Sequence, residues 1–283
     1  MKKNLLIILL VGLGITALLF QLPKGNVAGK TQNTPSGGAN RDAGSEKTEK
    51  VAEKEKEEHA APLTPAQLKE ISGLKSAFAA AKTDASQVKA LENLMRAFMN
   101  ASHYDSAAVY AANYADQHPS LTNVLRAGQL YFEAQTYALN AQKGGKMGEK
   151  ARMYFSKALA IDPNNLLVKS NMAMTYVDTP TPMKGITLLR EVIEQEPTFV
   201  PALFNLGILS IKSNQFGKGQ ERFTQILKLE PNNHKAALNL GFCLAQLDKK
   251  EEAQKILKRV LELSKDAEEQ KAAKELLAEM QEH

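Results

Sequence analysis

The sequence predicts an all-α chain built of stacked helical pairs, and three observations carry that reading. The first is composition. Ala, Leu, Lys, Glu and Gln are plentiful over 283 residues, Trp is absent and aromatics make up 6%. Straight-chain residues lose little rotamer freedom in a helix, so this mixture favours helices over sheets. The second is a period. Pro163, Pro197 and Pro231 stand 34 residues apart, each after a similar ending: Ala-Ile-Asp-Pro-Asn-Asn, Glu-Gln-Glu-Pro and Lys-Leu-Glu-Pro-Asn-Asn. The third is that other positions keep the same phase. Asn171, Asn205 and Asn239 are spaced by 34, as are Gly207 and Gly241, and Phe204-Asn-Leu-Gly is echoed by Leu238-Asn-Leu-Gly.

Taken in order, residues 1–23 read as a membrane anchor. Lys2 and Lys3 precede an uncharged, mostly apolar run from Asn4 to Pro23. As a helix this run is about 30 Å long, enough to cross a bilayer's hydrocarbon core. A cleaved signal peptide starts the same way, but its apolar region is usually about 7 to 15 residues. Its small-residue cleavage pair is also hard to place here, Val27 and Gly29 lying beyond Pro23 and Lys24. Length therefore favours the anchor, with an exported soluble chain as the alternative. No cysteine follows the run, which excludes lipoprotein processing. The positive-inside rule places Lys2 and Lys3 in the cytoplasm and the bulk of the chain outside it, against a weaker vote from Lys24 and Lys30.

Residues 24–62 read as a disordered linker. The first half is rich in Gly, Asn, Thr and Ser, and Arg41 to Glu58 mixes Lys and Glu with almost no apolar residue. Such a segment cannot bury enough surface to offset chain entropy. Gly25 to Thr31 looks like a phosphate-binding loop, yet it has three residues between its glycines where the motif needs four, and no strand precedes it.

Residues 63–283 carry the repeat. Units fall at about 88–121, 122–165, 166–199, 200–233 and 234–267, with helical flanks at 64–82 and 268–281. The spacing from Pro119 to Pro163 is 44, so the second unit holds about ten extra residues. They are expected at Gln142 to Lys150, where Gly144, Gly145 and Gly148 interrupt the helical pattern between the unit's two helices. Leu203, Leu206, Gly207, Gly219, Phe223, Ile226 and Pro231 resemble the tetratricopeptide-repeat pattern, as do Leu91, Leu94, Met95, Phe98, Tyr104, Ala107 and Pro119 one phase-set earlier. The third unit departs from it, with Met172-Ala173 for Leu-Gly and a Thr-Pro-Thr-Pro turn at 179–182, and the last unit lacks its closing Pro. The resemblance implies a superhelix of about five helix-turn-helix units, an α-solenoid with a concave inner surface and capped ends. The stripe Ala272, Leu276, Leu277 and Met280 suits a C-terminal capping helix.

In the resembled family the first helix of each unit lines the concave face. That implies a groove for a partner peptide or protein segment formed by Ser170, Met174 and Val177, then Phe204, Asn205, Ile208 and Ile211, then Lys235, Leu238, Asn239, Phe242 and Ala245. The stripe is apolar enough to receive an apolar or amphipathic segment; the competing reading is that several of these side chains simply pack between helices. Some relatives clamp a C-terminal carboxylate with Lys and Asn. Asn205, Asn239 and Lys235 match three of those places, while Ser170 and Met174 do not.

Chemistry is not expected. His59, His103, His118, His234 and His283 lack metal-ligand spacing, no nucleophile elbow occurs, and no cofactor or metal site is implied. Cys243 excludes an internal disulfide and reads as a small core residue. The net charge of +5 comes from 36 basic and 31 acidic residues spread along the chain, with no basic block suited to nucleic acid. Lys143, Lys146 and Lys150 read as a solvated connector, and Glu191 and Glu194 as part of a solvated face. Bacterial proteins that look like this often serve as envelope assembly or biogenesis factors. The expected function is a non-enzymatic scaffold, anchored in the inner membrane with its repeats in the periplasm. The alternative is a structural subunit that packs into a complex or self-associates. Oligomeric state is left open.

Overall fold

A computed structural model describes residues 62–280. The predicted anchor, nearly all of the predicted linker, His59 and His283 lie outside the described residues. Among the described residues, twelve helices follow one another: α1 Pro65–Ala80, α2 Asp84–Asn100, α3 Tyr104–Gln117, α4 Leu121–Thr136, α5 Ala141–Ile161, α6 Leu166–Met174, α7 Pro182–Gln195, α8 Val200–Lys212, α9 Phe216–Leu229, α10 His234–Gln246, α11 Lys250–Leu263 and α12 Ala267–Glu279. None of them is long and apolar enough to cross a membrane. The architecture is an all-α superhelix: α2 to α11 form antiparallel pairs, and one helix flanks them at each end.

The Pro-Asn-Asn endings act as a stop followed by a start. Proline cannot continue the second helix of a pair, because it lacks the N–H and crowds the preceding turn. Two residues on, Asn165 Oδ1 accepts from Val168 N at 3.0 Å and Asn233 Oδ1 accepts from Ala236 N at 2.9 Å, capping the helix that follows. Side-chain N–H donors from the next second helix reach back to the proline carbonyls: the Gln225 amide Nε2 donates to Pro197 O at 3.2 Å, and the Arg259 guanidinium to Pro231 O at 3.3 Å. Both bonds repeat at the 34-residue period.

The turn inside a pair is equally regular. Ser102, Asn214 and Asp248 adopt left-handed backbone, with φ of 61°, 57° and 59°. That conformation lets the next N–H fold back onto a carbonyl five residues earlier: His103 N to Phe98 O, Gln215 N to Ser210 O and Lys249 N to Leu244 O, at 2.8 to 2.9 Å. Asn and Asp tolerate this region better than most residues.

Small residues on first helices receive large ones from second helices. A Cβ at Gly207 would meet the Phe223 ring at 2.6 Å, one at Gly128 the Phe155 ring at 2.8 Å, and one at Gly241 the Leu257 branch at 2.6 Å. Phe155, Phe223 and Leu257 are fully buried as a result. Cys243 is buried against Gly219, and burial pushes its thiol up to about 12, which suits a core residue rather than a nucleophile. At the C-terminus α12 covers the stack with Ala272, Ala273 and Leu276 buried, while Leu277 and Met280 pack partly.

Two expectations need correction. Gln142 to Lys150 does not separate the two helices of its unit, because α5 runs unbroken from Ala141 to Ile161. Glycine in a helix costs about 1 kcal/mol relative to alanine, and is tolerated where close approach requires it. Gly148 is such a place, since a Cβ there would lie 2.6 Å from Gln135 Oε1 on α4. Asn140 caps the helix start by accepting from Lys143 N. Nor is Lys143 a solvated connector. Its ammonium bonds Asp105 on α3 at 2.5 Å, and Lys150 lies 5.4 Å from the Tyr131 ring centroid. Glu191 and Glu194 are exposed on α7, as expected.

Candidate functional site

The candidate surface is built from the first helices of the pairs, α4, α6, α8 and α10 in particular. Helical periodicity sends residues four apart to one face, and the recurring glycines fix which residues are equivalent. Gln129 follows Gly128 by one residue, as Ile208 follows Gly207 and Phe242 follows Gly241. Glu133 follows Gly128 by five, as Lys212 and Gln246 follow theirs. Arg126 bonds Glu92 at 3.3 Å across 34 residues, lacing the first helices α2 and α4 together, and Lys212 of α8 bonds Asp178, in the turn after α6, at 3.3 Å across the same interval.

The predicted groove is more closed than its sequence suggests. Val177, Phe204, Asn205, Lys235 and Ala245 are half-buried and form a rim. Ser170, Met174, Ile208, Ile211, Leu238, Asn239 and Phe242 are buried, none more than 7% exposed, and they form the floor between helices. The expectation of an open apolar stripe is corrected to that extent. For Phe242 the cause is packing between units, since it meets Phe216 of α9 edge-on at 6.0 Å; within its own unit Phe204 meets Phe223 edge-on at 5.5 Å. Both asparagines are already engaged, since Asn205 Nδ2 donates to Ser170 O at 3.4 Å and Asn239 Nδ2 to Lys235 O at 2.8 Å. Burial lowers the Lys235 ammonium, while Glu269 and Asp266 at the start of α12 pull it back up. The Glu269 carboxylate is itself buried, accepting from Ser264 Oγ at 2.5 Å. One N–H of each asparagine is thus spent on the stack itself rather than offered to a carboxylate clamp.

Polar atoms left without a hydrogen-bond partner are distributed unevenly. Among the described residues, the buried side-chain atoms of this kind are Gln129 Oε1, both Glu133 oxygens, Gln135 Oε1, Ser170 Oγ and Asn239 Oδ1. All lie on first helices, α4, α6 and α10, and all but the Ser170 hydroxyl are pure acceptors. Gln135 is partly satisfied through its Nε2, which donates to Thr175 O at 3.3 Å. Glu133 is only 1% exposed, and burial raises its carboxyl to about 7. Its charge acts on Tyr104 and Tyr137, whose rings stack at 4.4 Å between centroids.

Sequence reasoning missed Gln129 and Glu133. The signal was available, because α4 is apolar on almost every side, and two polar residues four apart inside such a helix ask for partners. The described histidines show no metal chemistry: His103 and His118 occupy helix ends, and His118 stacks on Tyr114. Among the described residues no group of three or more His, Cys, Asp or Glu is placed to hold a metal ion.

A tetratricopeptide-repeat family profile matches residues 211–278. The Hsp70-Hsp90 organizing protein of Triticum aestivum is 23% identical over 126 residues, which is 43% of this chain and 22% of that protein. Protein O-mannosyl-transferase TMTC3 of Homo sapiens is 28% identical over 183 residues, 56% of this chain and 20% of that protein. The chain therefore spans about a fifth of the length of the curated relatives it matches. A crystal structure of a tetratricopeptide repeat protein from Parabacteroides merdae superposes with a TM-score of 0.53 at 15% identity, covering 84% of this chain and 85% of that one.

Proposed function

We propose that this chain, a tetratricopeptide-repeat superhelix matched by the family profile over residues 211–278, is a scaffold for protein–protein interaction that holds a segment of a partner protein along the inner surface of its first helices without chemistry of its own. One observation supports the surface: the buried side-chain polar atoms lacking hydrogen-bond partners among the described residues all sit on first helices. Leaving such an atom unpaired costs about 1 to 3 kcal/mol. A partner that supplies donors there recovers that cost on binding. On the half-buried rim Val177 and Phe204 give the segment apolar contact, and Asn205 and Lys235 give it polar contact.

The proposal extends to place. Residues 1–23 anchor the protein in the inner membrane, the spacer frees the superhelix, and the superhelix works on the periplasmic side as an assembly or biogenesis factor of the envelope. The support is Lys2 and Lys3 ahead of the uncharged run to Pro23. Capture of crosslinked partners from native membranes with the full chain tests both parts. We expect one dominant partner, lost when Val177→Asp and Lys235→Glu are combined, from a bait that retains residues 1–23. Equal capture by the folded double variant sinks the groove, and a bait beginning after about residue 25 sinks the anchor.

A second reading has its own support. Ile161, Leu229 and Leu263 end the second helices α5, α9 and α11 with 52%, 43% and 44% of their surface exposed, in phase with the repeat. Apolar residues presented in register fit a structural subunit that packs into a larger assembly. A mass that rises with concentration for the full chain, and falls in Leu229→Lys, would favour this reading.

A further inference from the structure

Along the inner surface the chemistry changes from one end to the other. At the position one residue past the recurring glycine, α8 and α10 carry Ile208 and Phe242, whereas α4 carries Gln129. At the position five past it, α8 carries Lys212, which is spent on Asp178, whereas α4 carries Glu133, whose two oxygens have no hydrogen-bond partner. Gln129 and Glu133 lie one turn apart on the same face of α4, 2% and 1% exposed. Together they present three acceptor oxygens unpaired among the described residues, and burial alone accounts for the raised carboxyl of Glu133.

Beside them stands an aromatic pair. Tyr104, at the start of α3, and Tyr137, just past the end of α4, stack with an interplanar angle of 12°. Both feel the Glu133 charge, and Tyr137 remains 41% exposed. A carboxylate and an amide oxygen without partners, with a stacked phenol pair in reach of the carboxylate's charge, match what an ammonium or guanidinium requires: acceptors for its donors and π faces nearby. Buried unpaired charge is expensive, and an opposite charge with good geometry offsets it.

We propose that Gln129 and Glu133, reached past Tyr137, form a subsite that takes a lysine or arginine side chain of the partner segment, orienting it with its basic residue toward α4 and its apolar residues toward α8 and α10. This rests on the reading that the first helices hold the partner. Charge complementarity selects the occupant, since the unpaired atoms of the site are acceptors and two of the three belong to the Glu133 carboxyl.

The test uses the full chain with carbon-13 in its glutamate carboxyls and two small probes, methylguanidinium and methylammonium, titrated at constant ionic strength against sodium. The Glu133 signal, identified by its absence in Glu133→Gln, should move saturably with either probe and stay still with sodium, and the Tyr137 ring should respond at the same midpoint. Glu133→Gln should weaken the Tyr137 response at least about tenfold, while Lys212→Ala should leave it unchanged. A folded chain in which Glu133 does not respond overturns the proposal. So does movement shared equally with exposed carboxylates such as Glu191, which marks screening rather than a site. If the probes bind at Glu133 but the Val177 and Lys235 double variant still captures the partner, the groove reading fails and the subsite stands. If the double variant loses the partner and Glu133 stays silent, the subsite fails and the groove stands.

Discussion

Phe223 presses its ring against the backbone of Gly207, leaving no room for a methyl group: a Cβ at that glycine would lie 2.6 Å from the ring. The same contact joins Gly128 to Phe155 and Gly241 to Leu257, so one geometric rule sets the spacing of three helical pairs. Gly207→Ala should destabilise the chain by up to about 2 kcal/mol, an overpacking cost of about 1 to 3 offset by about 1 of gained helix propensity. Gly73→Ala, in α1 with nothing within 4 Å of its new methyl, should stabilise by up to about 1 kcal/mol. Urea unfolding of both variants checks the difference in sign.

Gly185 should be less forgiving still. Its Cβ would lie 2.3 Å from the Ala173 carbonyl oxygen, which is backbone and cannot swing aside as a ring can. Gly185→Ala should therefore cost more than Gly207→Ala, and the loss should concentrate in α6 and α7, read by hydrogen exchange of their amides.

The buried Glu133 carboxyl gives the fold a pH dependence of definite sign. Its folded value is raised to about 7 from 4.5, so its contribution is fully present below about 4.5 and is lost as pH rises through 7. Tyr104 and Tyr137, the groups that face it, are raised above 10 and stay neutral across this window. The loss between pH 4.5 and 8 amounts to about 3 kcal/mol at most, at about 1.4 per unit. Glu133→Gln should flatten that slope in thermal melts taken at pH 5 and pH 8, and should be the more stable protein at pH 8.

The capping helix is held by Glu269, buried on α12 and bonded to Ser264 Oγ, with His234 Nδ1 at 3.8 Å. Glu269→Ala leaves the Ser264 hydroxyl buried without that acceptor and should cost about 1 to 3 kcal/mol. Amides of α12 should exchange faster while those of α4 stay protected.

What the sequence disclosed and what it withheld have physical causes. Pro163, Pro197 and Pro231, with the glycines at 207 and 241, act locally and in phase, so helix order and the pairing rule could be read directly from spacing. The second pair was harder, because Gly144, Gly145 and Gly148 signal a break by propensity while Gly148 in fact serves a close approach to Gln135 across the pair. The groove was legible as a row of positions but not as a surface. Ile208 and Phe242 look available to a ligand when each helix is read alone, and only stacking against the neighbouring unit buries them. Gln129 and Glu133 lacked any motif, since what marks them is a missing partner, which appears only in three dimensions.

The most direct test of the central claim places a photo-crosslinking residue at Val177 or Phe204 on the inner rim, and at Leu229 or Lys258 on second helices, in the full-length protein in native membranes. The account predicts adducts with one partner from the inner positions alone, mapped by mass spectrometry to a single segment of that partner. Adducts formed equally from Leu229 and Lys258, or only between copies of this chain, would contradict it.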